Sequence, residues 1–353
     1  MGKGNIGEWS ELYAFLKLLG EGKLHAGDAD LNKLPDVFFP IIKIIREESD
    51  ARLDYVADSD VTIVNAKTGD VVARTTVQSC LENASIVLER LRQKKKEIPE
   101  VGDFLRSIQV KKLSASKGSK RDITIKVHDF HTGLKPTVGF SIKSRLGKPA
   151  TLFNASKATN FVYSVSPPLS EERLAEFASL KLAQTRARLN ELGASLTYET
   201  VENETFLCNL MLVDSKLPDI LAHLLRDFFL TQTSRLDELV ARLNDDNPCN
   251  FQEAGDRPYY AYKIKRFLFD VALGMRAAER WDGKLDATGG YIVVRKDGEL
   301  LCYHLYNLNE FQSYLFNNSR LESPSTPKHE YGKVYREGDR QLIKLNLQIR
   351  FIE

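Results

Sequence analysis

The stretch that most constrains the fold is residues 121–145, RDITIKVHDFHTGLKPTVGFSIKSR, which is typical of two strands joined by a tight turn. Apolar and polar residues alternate in both halves, as half-buried strands require. Residues 131–133 supply turn chemistry between the halves. If the turn is centred between the second and third of these, an antiparallel register places Asp122 opposite Lys143 and Ser144. The sequence therefore predicts a hairpin with a carboxylate and an ammonium at its open end.

This open end has two interpretations. An aspartate and a lysine that face each other across two strands commonly form a solvated ion pair. The same two groups are also what a metal-dependent phosphodiesterase requires, because a carboxylate holds Mg²⁺ and a lysine positions the attacking water and offsets charge on the phosphate. Considered alone, the hairpin favours the ion pair.

Charge is distributed unevenly along the chain. The whole sequence has a net charge of +2, but residues 106–148 contain eleven lysines and arginines and only two acids, Asp122 and Asp129, which gives +9. A basic block around isolated acids suits a polyanionic ligand, with the acids kept for a metal. A solvated basic face is the alternative.

The first apolar pattern predicts a helix over residues 8–19, with Asn5 as its cap. Glu8 and Glu11 lie three residues apart, so they share a face near the first turn. Glu8 also precedes the apolar Leu12 by four residues, which draws it toward the buried side, where a carboxylate is costly unless it is paired or bound to metal. The alternative is that both glutamates simply favour the positive end of the helix dipole.

Composition excludes several classes of protein. With 353 residues and 42% hydrophobic content, the chain can bury one large core or two ordinary ones. It contains no run of about 18 apolar residues and no apolar N-terminal segment followed by a cleavage site, so we expect neither a membrane span nor a signal peptide. The four cysteines are far apart and form no C-x-x-C pair, which is typical of thiols in a reducing cytoplasm.

The pair Pro167-Pro168 is the clearest boundary, and it divides the chain into residues 1–166 and 167–353. Together the patterns predict an α/β N-terminal part and a mixed α+β C-terminal part. Among the predicted elements are a short strand over 104–113, a long helix over 171–192 and a final strand over 341–351.

Polar side chains suited to contact with nucleic acid occur in three places. On the final strand they alternate with apolar residues, so one face carries only hydrogen-bonding and basic groups of the kind that read base edges; a solvated sheet face is the alternative. Two loops carry further polar groups that either contact phosphates and bases or cap and turn the chain. The candidates are Lys344, Asn346, Gln348 and Arg350 on the strand and Asn154, Ser156, Asn160, Ser325 and Lys328 in the loops.

Several long segments resemble the HpaII-like type II restriction endonucleases. The similarity runs in order from residue 4 to residue 351, so it covers nearly the whole chain, and it is more specific than any one short motif. The segments are GNIGEWSELYAFLKLL, DADLNKL, IIKIIREE, GFSIKSRLGKPATLFNASKATNFVY, LCYHLYNLNEFQSYL and KLNLQIRF.

The resemblance implies a Mg²⁺-dependent nuclease of the bacterial cytoplasm with a catalytic core of the PD-(D/E)XK kind. Such an enzyme cuts both strands of double-stranded DNA at a short palindrome, and the prototype of the family reads CCGG, whose cytosine methylation blocks cleavage. A cognate cytosine methyltransferase is then the implied genetic partner. A homodimer is also implied, because a palindrome presents two equivalent half-sites.

The resemblance also assigns roles to residues. Asp122 matches the metal-binding acid and Lys143 the motif lysine, but Ser141 stands where a second acid is expected, and no acid in the rest of that segment replaces it. Glu8 and Glu11 are then the natural donors that complete the metal shell, with Glu11 preferred because it is not drawn toward the core. Ser141 either binds metal-bound water or merely fills the motif position.

Two alternatives remain from the sequence. One is a repair or junction-resolving nuclease with the same core, whose cuts would follow DNA structure rather than a fixed palindrome. The other is a DNA-binding protein without catalytic activity, which would never cut DNA in the presence of Mg²⁺.

Overall fold

The computed structural model describes residues 3–113, 120–130, 132–252 and 255–352. The helices are α1 (Ile6–Glu21), α2 (Val77–Arg92), α3 (Gly102–Ser107), α4 (Glu171–Ser179), α5 (Leu182–Glu191), α6 (Glu204–Val213), α7 (Leu217–Thr231), α8 (Leu236–Asp246), α9 (Tyr259–Leu273), α10 (Leu308–Asn317) and α11 (Thr326–His329). The strands are β1 (Lys23–Gly27), β2 (Lys33–Glu47), β3 (Arg52–Ala57), β4 (Asp60–Asn65), β5 (Val71–Thr76), β6 (Ile123–Val127), β7 (Thr137–Ser144), β8 (Thr151–Phe153), β9 (Asn160–Ser166), β10 (Ser195–Val201), β11 (Gly290–Val294), β12 (Leu300–Tyr303), β13 (Ser319–Leu321), β14 (Val334–Glu337), β15 (Arg340–Asn346) and β16 (Ile349–Phe351).

The chain forms two compact units, and each is made of two chain segments. The first unit contains Met1–Ala150 and Leu285–Tyr314, and the second contains Thr151–Lys284 and Leu315–Ile352. These boundaries differ from the expected division after residue 166. The reason is that β8 and β9 already pair with strands of the second unit, whereas β11 and β12 return to the sheet of the first.

The first unit is built on a nine-stranded mixed sheet with the order β1-β12-β11-β7-β6-β2-β3-β4-β5. The hairpin β6–β7 lies near the middle of this sheet. Strand β11 pairs with β7 in parallel, and β12 returns antiparallel to β11. One face of the sheet packs against α1 and α2 in a continuous apolar core, to which β7 contributes Phe140 and Ile142 and β11 contributes Ile292 and Val294. The alternate residues of these strands therefore lie on the opposite face.

The first helix forms where the sequence predicts it. Asn5 caps it, Gly22 ends it in a left-handed conformation, and most of its apolar side chains are buried. The Tyr13 hydroxyl donates a hydrogen bond of 2.5 Å to the carbonyl of Gly298, in the turn between β11 and β12. This contact joins α1 to the second chain segment of the unit, Leu285–Tyr314.

The hairpin forms, but its predicted register is wrong by two residues. The backbone N–H of Asp129 donates to the Leu134 carbonyl (3.0 Å), and Gly133 N–H donates to the Asp129 carbonyl (2.8 Å). The turn is therefore centred one residue earlier than predicted, and each such step moves the cross-strand partner by two. As a result Asp122 lies opposite Ser141 rather than Lys143. His131, part of the predicted turn, lies outside the described residues.

Three other predicted elements differ from the structure. The predicted strand 104–113 is wrong, because Val101, Leu105 and Ile108 are all buried at helical spacing around α3. The predicted helix 171–192 is two helices, α4 and α5, which are separated at the extended residue Leu180. The predicted final strand is also two strands, β15 and β16, and they belong to different sheets.

The second unit combines two small sheets with helices. Its sheets have the orders β10-β9-β15-β14 and β13-β16-β8, and helices α4 to α9 come between their strands in the chain. The expected mixed α/β class is thus confirmed. Within the described ranges, no helix combines the length and the apolar character that a bilayer crossing requires.

Gly290 allows β11 and β12 to approach closely. Its φ is +99°, and a Cβ built on it would lie 2.0 Å from the carbonyl oxygen of Tyr303. We expect Gly290→Ala to lower the free energy of unfolding by about 2–4 kcal/mol, because strain and a backbone clash combine; urea unfolding measures this. Gly283→Ala is the control, since its φ is +89° but its built Cβ has no described atom within 4 Å. Equal losses in the two variants would contradict the clash.

His304 makes the stability of the first unit depend on pH. The residue is 2% exposed, its Nδ1 accepts the Tyr306 N–H (3.1 Å), and its buried Nε2 has no hydrogen-bond partner in the described part of the chain. Burial lowers the pKa of His304 to about 4, against the opposing charge of Asp129. The unfolded histidine has a pKa of about 6.5, so protonation favours the unfolded state, and this stability is lost as the pH falls from about 6.5 toward 4.

We therefore expect wild type to lose about 2–3 kcal/mol more stability than His304→Phe between pH 7.5 and pH 4.5. Urea unfolding at the two pH values measures the difference. Parallel losses in wild type and variant would contradict a buried neutral histidine.

Candidate active site

Asp122 is fixed by three hydrogen bonds at the open end of the hairpin. Its N–H donates to the Phe140 carbonyl (2.7 Å), which continues the β6–β7 pairing by one residue. Its Oδ2 accepts the Ser141 hydroxyl (3.0 Å) and the Ile142 N–H (2.6 Å). No described residue donates a hydrogen bond to Oδ1. The carboxylate is thus held at one oxygen and available at the other.

Lys143 follows Ser141 by two residues and shares its face of the sheet. The side chain is half-buried, and its Nζ lies 5.1 Å from the centroid of the Tyr291 ring. Burial lowers the pKa of Lys143, while the negative charges of Asp122 and Glu11 oppose this decrease. Both carboxylates therefore lie close enough to act on this ammonium.

Tyr291 was not among the predicted site residues. The parallel pairing of β11 with β7 places it opposite Ser141. Burial raises the pKa of Tyr291 well above its ordinary value, and Tyr314 and Asp122 raise it further. The Tyr291 side chain is thus buried and neutral, and it packs beside the Lys143 ammonium. Its sequence context carries no signal of this position, because parallel pairing between distant strands has no local pattern.

Glu8 is part of the N-terminal cap of α1. The Asn5 N–H donates to Glu8 Oε2 (2.8 Å), and the Glu8 N–H donates to Asn5 Oδ1 (3.0 Å). This reciprocal arrangement is a capping box, which satisfies two backbone donors at a helix start. The cap explains Glu8 without a metal.

Glu11 lies on α1, whose first turns contact the end of β7. Ser10, which is fully buried, donates to the Ile6 carbonyl (2.7 Å), and its Oγ lies 2.8 Å from Ser144 Oγ. This contact anchors the first turns of α1 at the end of β7, and the negative charge of Glu11 acts on the Lys143 ammonium. In the described residues, no group of three or more His, Cys, Asp and Glu side chains forms a ready-made metal cluster.

The predicted DNA-contacting residues all lie in the second unit, and two of them are buried there. Asn160 is 1% exposed and Asn346 is 0% exposed. The Asn346 Nδ2 donates to Asn160 Oδ1 (2.7 Å) and to the Ser156 carbonyl (2.5 Å), and Asn160 Nδ2 donates to Glu202 (2.8 Å). In this conformation the two asparagines join strands β9 and β15 and have no access to a base.

Two of the predicted basic residues are paired with acids. Lys344 Nζ lies 2.7 Å from Glu202 and 3.1 Å from Glu330, and these two carboxylates raise the pKa of Lys344 against the opposing effect of burial. Arg350 Nε lies 2.6 Å from Glu322. These pairs leave little positive potential on that face.

The remaining candidates are more accessible. Ser156 caps a short 3₁₀ turn through a hydrogen bond to the Ala158 N–H (3.2 Å), and Gln348 is half-buried between β15 and β16. The exposed candidates are Asn154, Ser325 and Lys328.

Comparison with known proteins agrees with the sequence resemblance. The family described as HpaII restriction endonuclease matches residues 5–351. The chain is 40% identical over 356 residues to the type II restriction enzyme HpaII of Haemophilus parainfluenzae, a match that covers 99% of this chain and 98% of that protein. No solved structure shows a significant match. The chain therefore belongs to the HpaII restriction endonuclease family, a family of type II restriction enzymes.

Proposed function

We propose that this restriction enzyme uses Mg²⁺ to cleave both strands of CCGG, at a centre of the PD-(D/E)XK kind formed by Asp122, Lys143 and Glu11. The observation that carries the proposal is electrostatic. Two carboxylates from different elements act on one half-buried ammonium, at the open end of a hairpin that otherwise belongs to a basic segment. A solvated cross-strand ion pair needs only one acid and one base. Here a second carboxylate, from α1, also acts on the same ammonium.

The donor set fits magnesium. Mg²⁺ keeps several waters and is commonly bound by one or two carboxylates together with substrate phosphate oxygens. Asp122 Oδ1 accepts no hydrogen bond from the described residues, and Glu11 belongs to the same electrostatic cluster. Asp122 and Glu11 would therefore hold the ion, which when bound polarises the scissile phosphate and lowers the pKa of a coordinated water.

The protein side chains have separate tasks in this proposal. Lys143 orients the attacking water and stabilises the negative charge that develops on the phosphate, so that water displaces the 3′ oxygen in line. Ser141 occupies the position of the missing acid and keeps Asp122 oriented through its hydroxyl. Tyr291 limits solvent around the ammonium, which strengthens its interaction with an anion.

We place DNA contacts in the second unit on the accessible candidates Asn154, Ser156, Ser325, Lys328 and Gln348. Lys344 and Arg350 could take part only after exchanging their carboxylate partners for DNA. In this proposal Asn160 and Asn346 support the Ser156 turn instead of reading bases.

The proposed target comes from the family. The relative at 40% identity is named HpaII, and the resemblance described above links that family to CCGG. A palindromic target in turn favours a homodimer, and self-protection requires a cytosine methyltransferase that modifies the same sequence.

Digestion of a sequenced plasmid with Mg²⁺, followed by mapping of the ends, tests the proposal. We expect cuts on both strands at every unmethylated CCGG and protection after cytosine methylation. Cuts at another fixed palindrome would overturn the target but keep the reaction. Cuts that follow DNA structure, or no cuts at all, would overturn the restriction activity.

A further inference from the structure

Arg145 continues the row of side chains that begins at Ser141 and Lys143. It directly follows β7, and its N–H donates to the Val294 carbonyl (2.9 Å), so the pairing with β11 extends through this residue. Successive side chains of a strand alternate between the two faces. Arg145 therefore lies on the same face as Lys143, two residues further along.

The guanidinium of Arg145 is a half-buried charge without a carboxylate partner. Its Nη1 is buried and has no hydrogen-bond partner among the described residues, and the guanidinium forms no ion pair with a described acid. Burial raises the pKa of Tyr314, and the positive charge of Arg145 opposes that rise; Tyr303 feels the same charge. Two tyrosines, Tyr303 and Tyr314, are thus close to the guanidinium, and their neutral side chains do not compensate its charge.

An uncompensated buried charge is costly, so proteins rarely keep one unless it binds an anion. Arg295, close by in the turn after β11, shows the ordinary arrangement, since it pairs with Asp297 (2.8 Å) and with the Leu31 carbonyl (3.0 Å). A guanidinium can donate two parallel hydrogen bonds to two oxygens of one phosphate. The ammonium of lysine acts as a point charge and does not form this bidentate contact.

We propose that Arg145 binds the DNA phosphate next to the scissile phosphate, and so fixes the strand in register with Lys143. This inference rests on the proposed cleavage centre, because it takes Lys143 as the marker of the cut bond. Arg145 is thus a positioning residue. Lys143 acts at the scissile phosphate, and Arg145 binds the phosphate beside it.

Single methylphosphonate substitutions test this contact, because each removes the charge of one phosphate. The duplex contains a site that wild type is first shown to cut, and binding is measured without divalent metal. For wild type we expect an affinity loss of about 10-fold or more when the phosphate adjacent to the cut bond is neutralised. For Arg145→Met we expect a similar loss on unmodified DNA and less than about threefold further loss at that one phosphate, with the wild-type pattern elsewhere.

Two further variants complete the experiment. Arg295→Met should retain the wild-type pattern at every phosphate, and Arg145→Lys, which keeps the charge but not the bidentate contact, should bind with intermediate affinity. Thermal unfolding checks each variant. Wild-type affinity in Arg145→Met, a loss without coupling to any phosphate, or failure of both Arg145 variants to fold would overturn the proposal.

The proposed centre can fail separately from this contact. If Arg145 couples to a phosphate far from the cut bond, the guanidinium binds DNA but Lys143 does not mark the scissile phosphate. If no coupling occurs while Lys143 remains essential for cleavage, the centre stands and the Arg145 contact is wrong.

Discussion

Asp122→Asn and Lys143→Met are each expected to slow DNA cleavage by at least about 10³-fold while DNA binding is retained. Asparagine can still accept the hydrogen bonds of Ser141 and Ile142, so the hairpin should fold, but it lacks the charge that holds Mg²⁺. Methionine fills the volume of Lys143 beside Tyr291 without an ammonium. Single-turnover cleavage with Mg²⁺ measures the loss, and binding to the same duplex without metal measures what remains.

Lys126→Met is the matched control for charge. Lys126 lies on β6 of the same hairpin and pairs with Thr137, away from the open end. We expect near-wild-type cleavage from this variant at low salt. Equal losses from Lys126→Met and Lys143→Met would reduce the role of Lys143 to general attraction of DNA, and undiminished cleavage by Asp122→Asn would remove the proposed centre.

The two glutamates of α1 should separate into one catalytic and one structural role. Glu11→Gln is expected to lower the cleavage rate by at least about 100-fold with little change in stability, because a ligand of the metal is lost. Glu8→Gln keeps a hydrogen-bonding side chain at the cap, so cleavage should remain close to wild type.

Glu8→Ala removes the capping contact to Asn5 and should lower the free energy of unfolding by about 0.5–2 kcal/mol without a comparable effect on the cleavage rate. Urea unfolding and single-turnover cleavage, measured on all three variants, give both quantities. A large loss of cleavage in Glu8→Gln with Glu11→Gln active would transfer the metal site to Glu8.

The hairpin shows how far sequence patterns lead. Alternation placed the two strands correctly, and it placed Asp122 and Lys143 at the open end. The register depended on the centre of the turn, and several turns of similar length fit the same residues. The backbone pairing of Asp129 with Leu134 selects one of them, and that selection needs the packed sheet on both sides. A similar limit applies to Tyr291, because only the tertiary pairing of β11 with β7 brings it to Lys143.

The final strand shows a different limit. Its alternation of polar and apolar residues is real through β15, but part of the polar side is covered by other segments of the chain. Asn346 is covered there and joined to Asn160, and Lys344 meets Glu202 from the neighbouring region. A periodic pattern identifies which residues share a face, whereas the partner of that face comes from distant segments.

The division of the first unit into two chain segments has a consequence during protein synthesis. Translation proceeds from the N-terminus, so β7 is complete before the second unit is made, and β11 emerges only near the end. Until then β7 is an open edge, of the kind that pairs readily with other chains. An unfinished polypeptide also lacks Tyr291 and the neighbours of Arg145. The proposed cleavage site can therefore be complete only late in synthesis, after β11 has paired with β7.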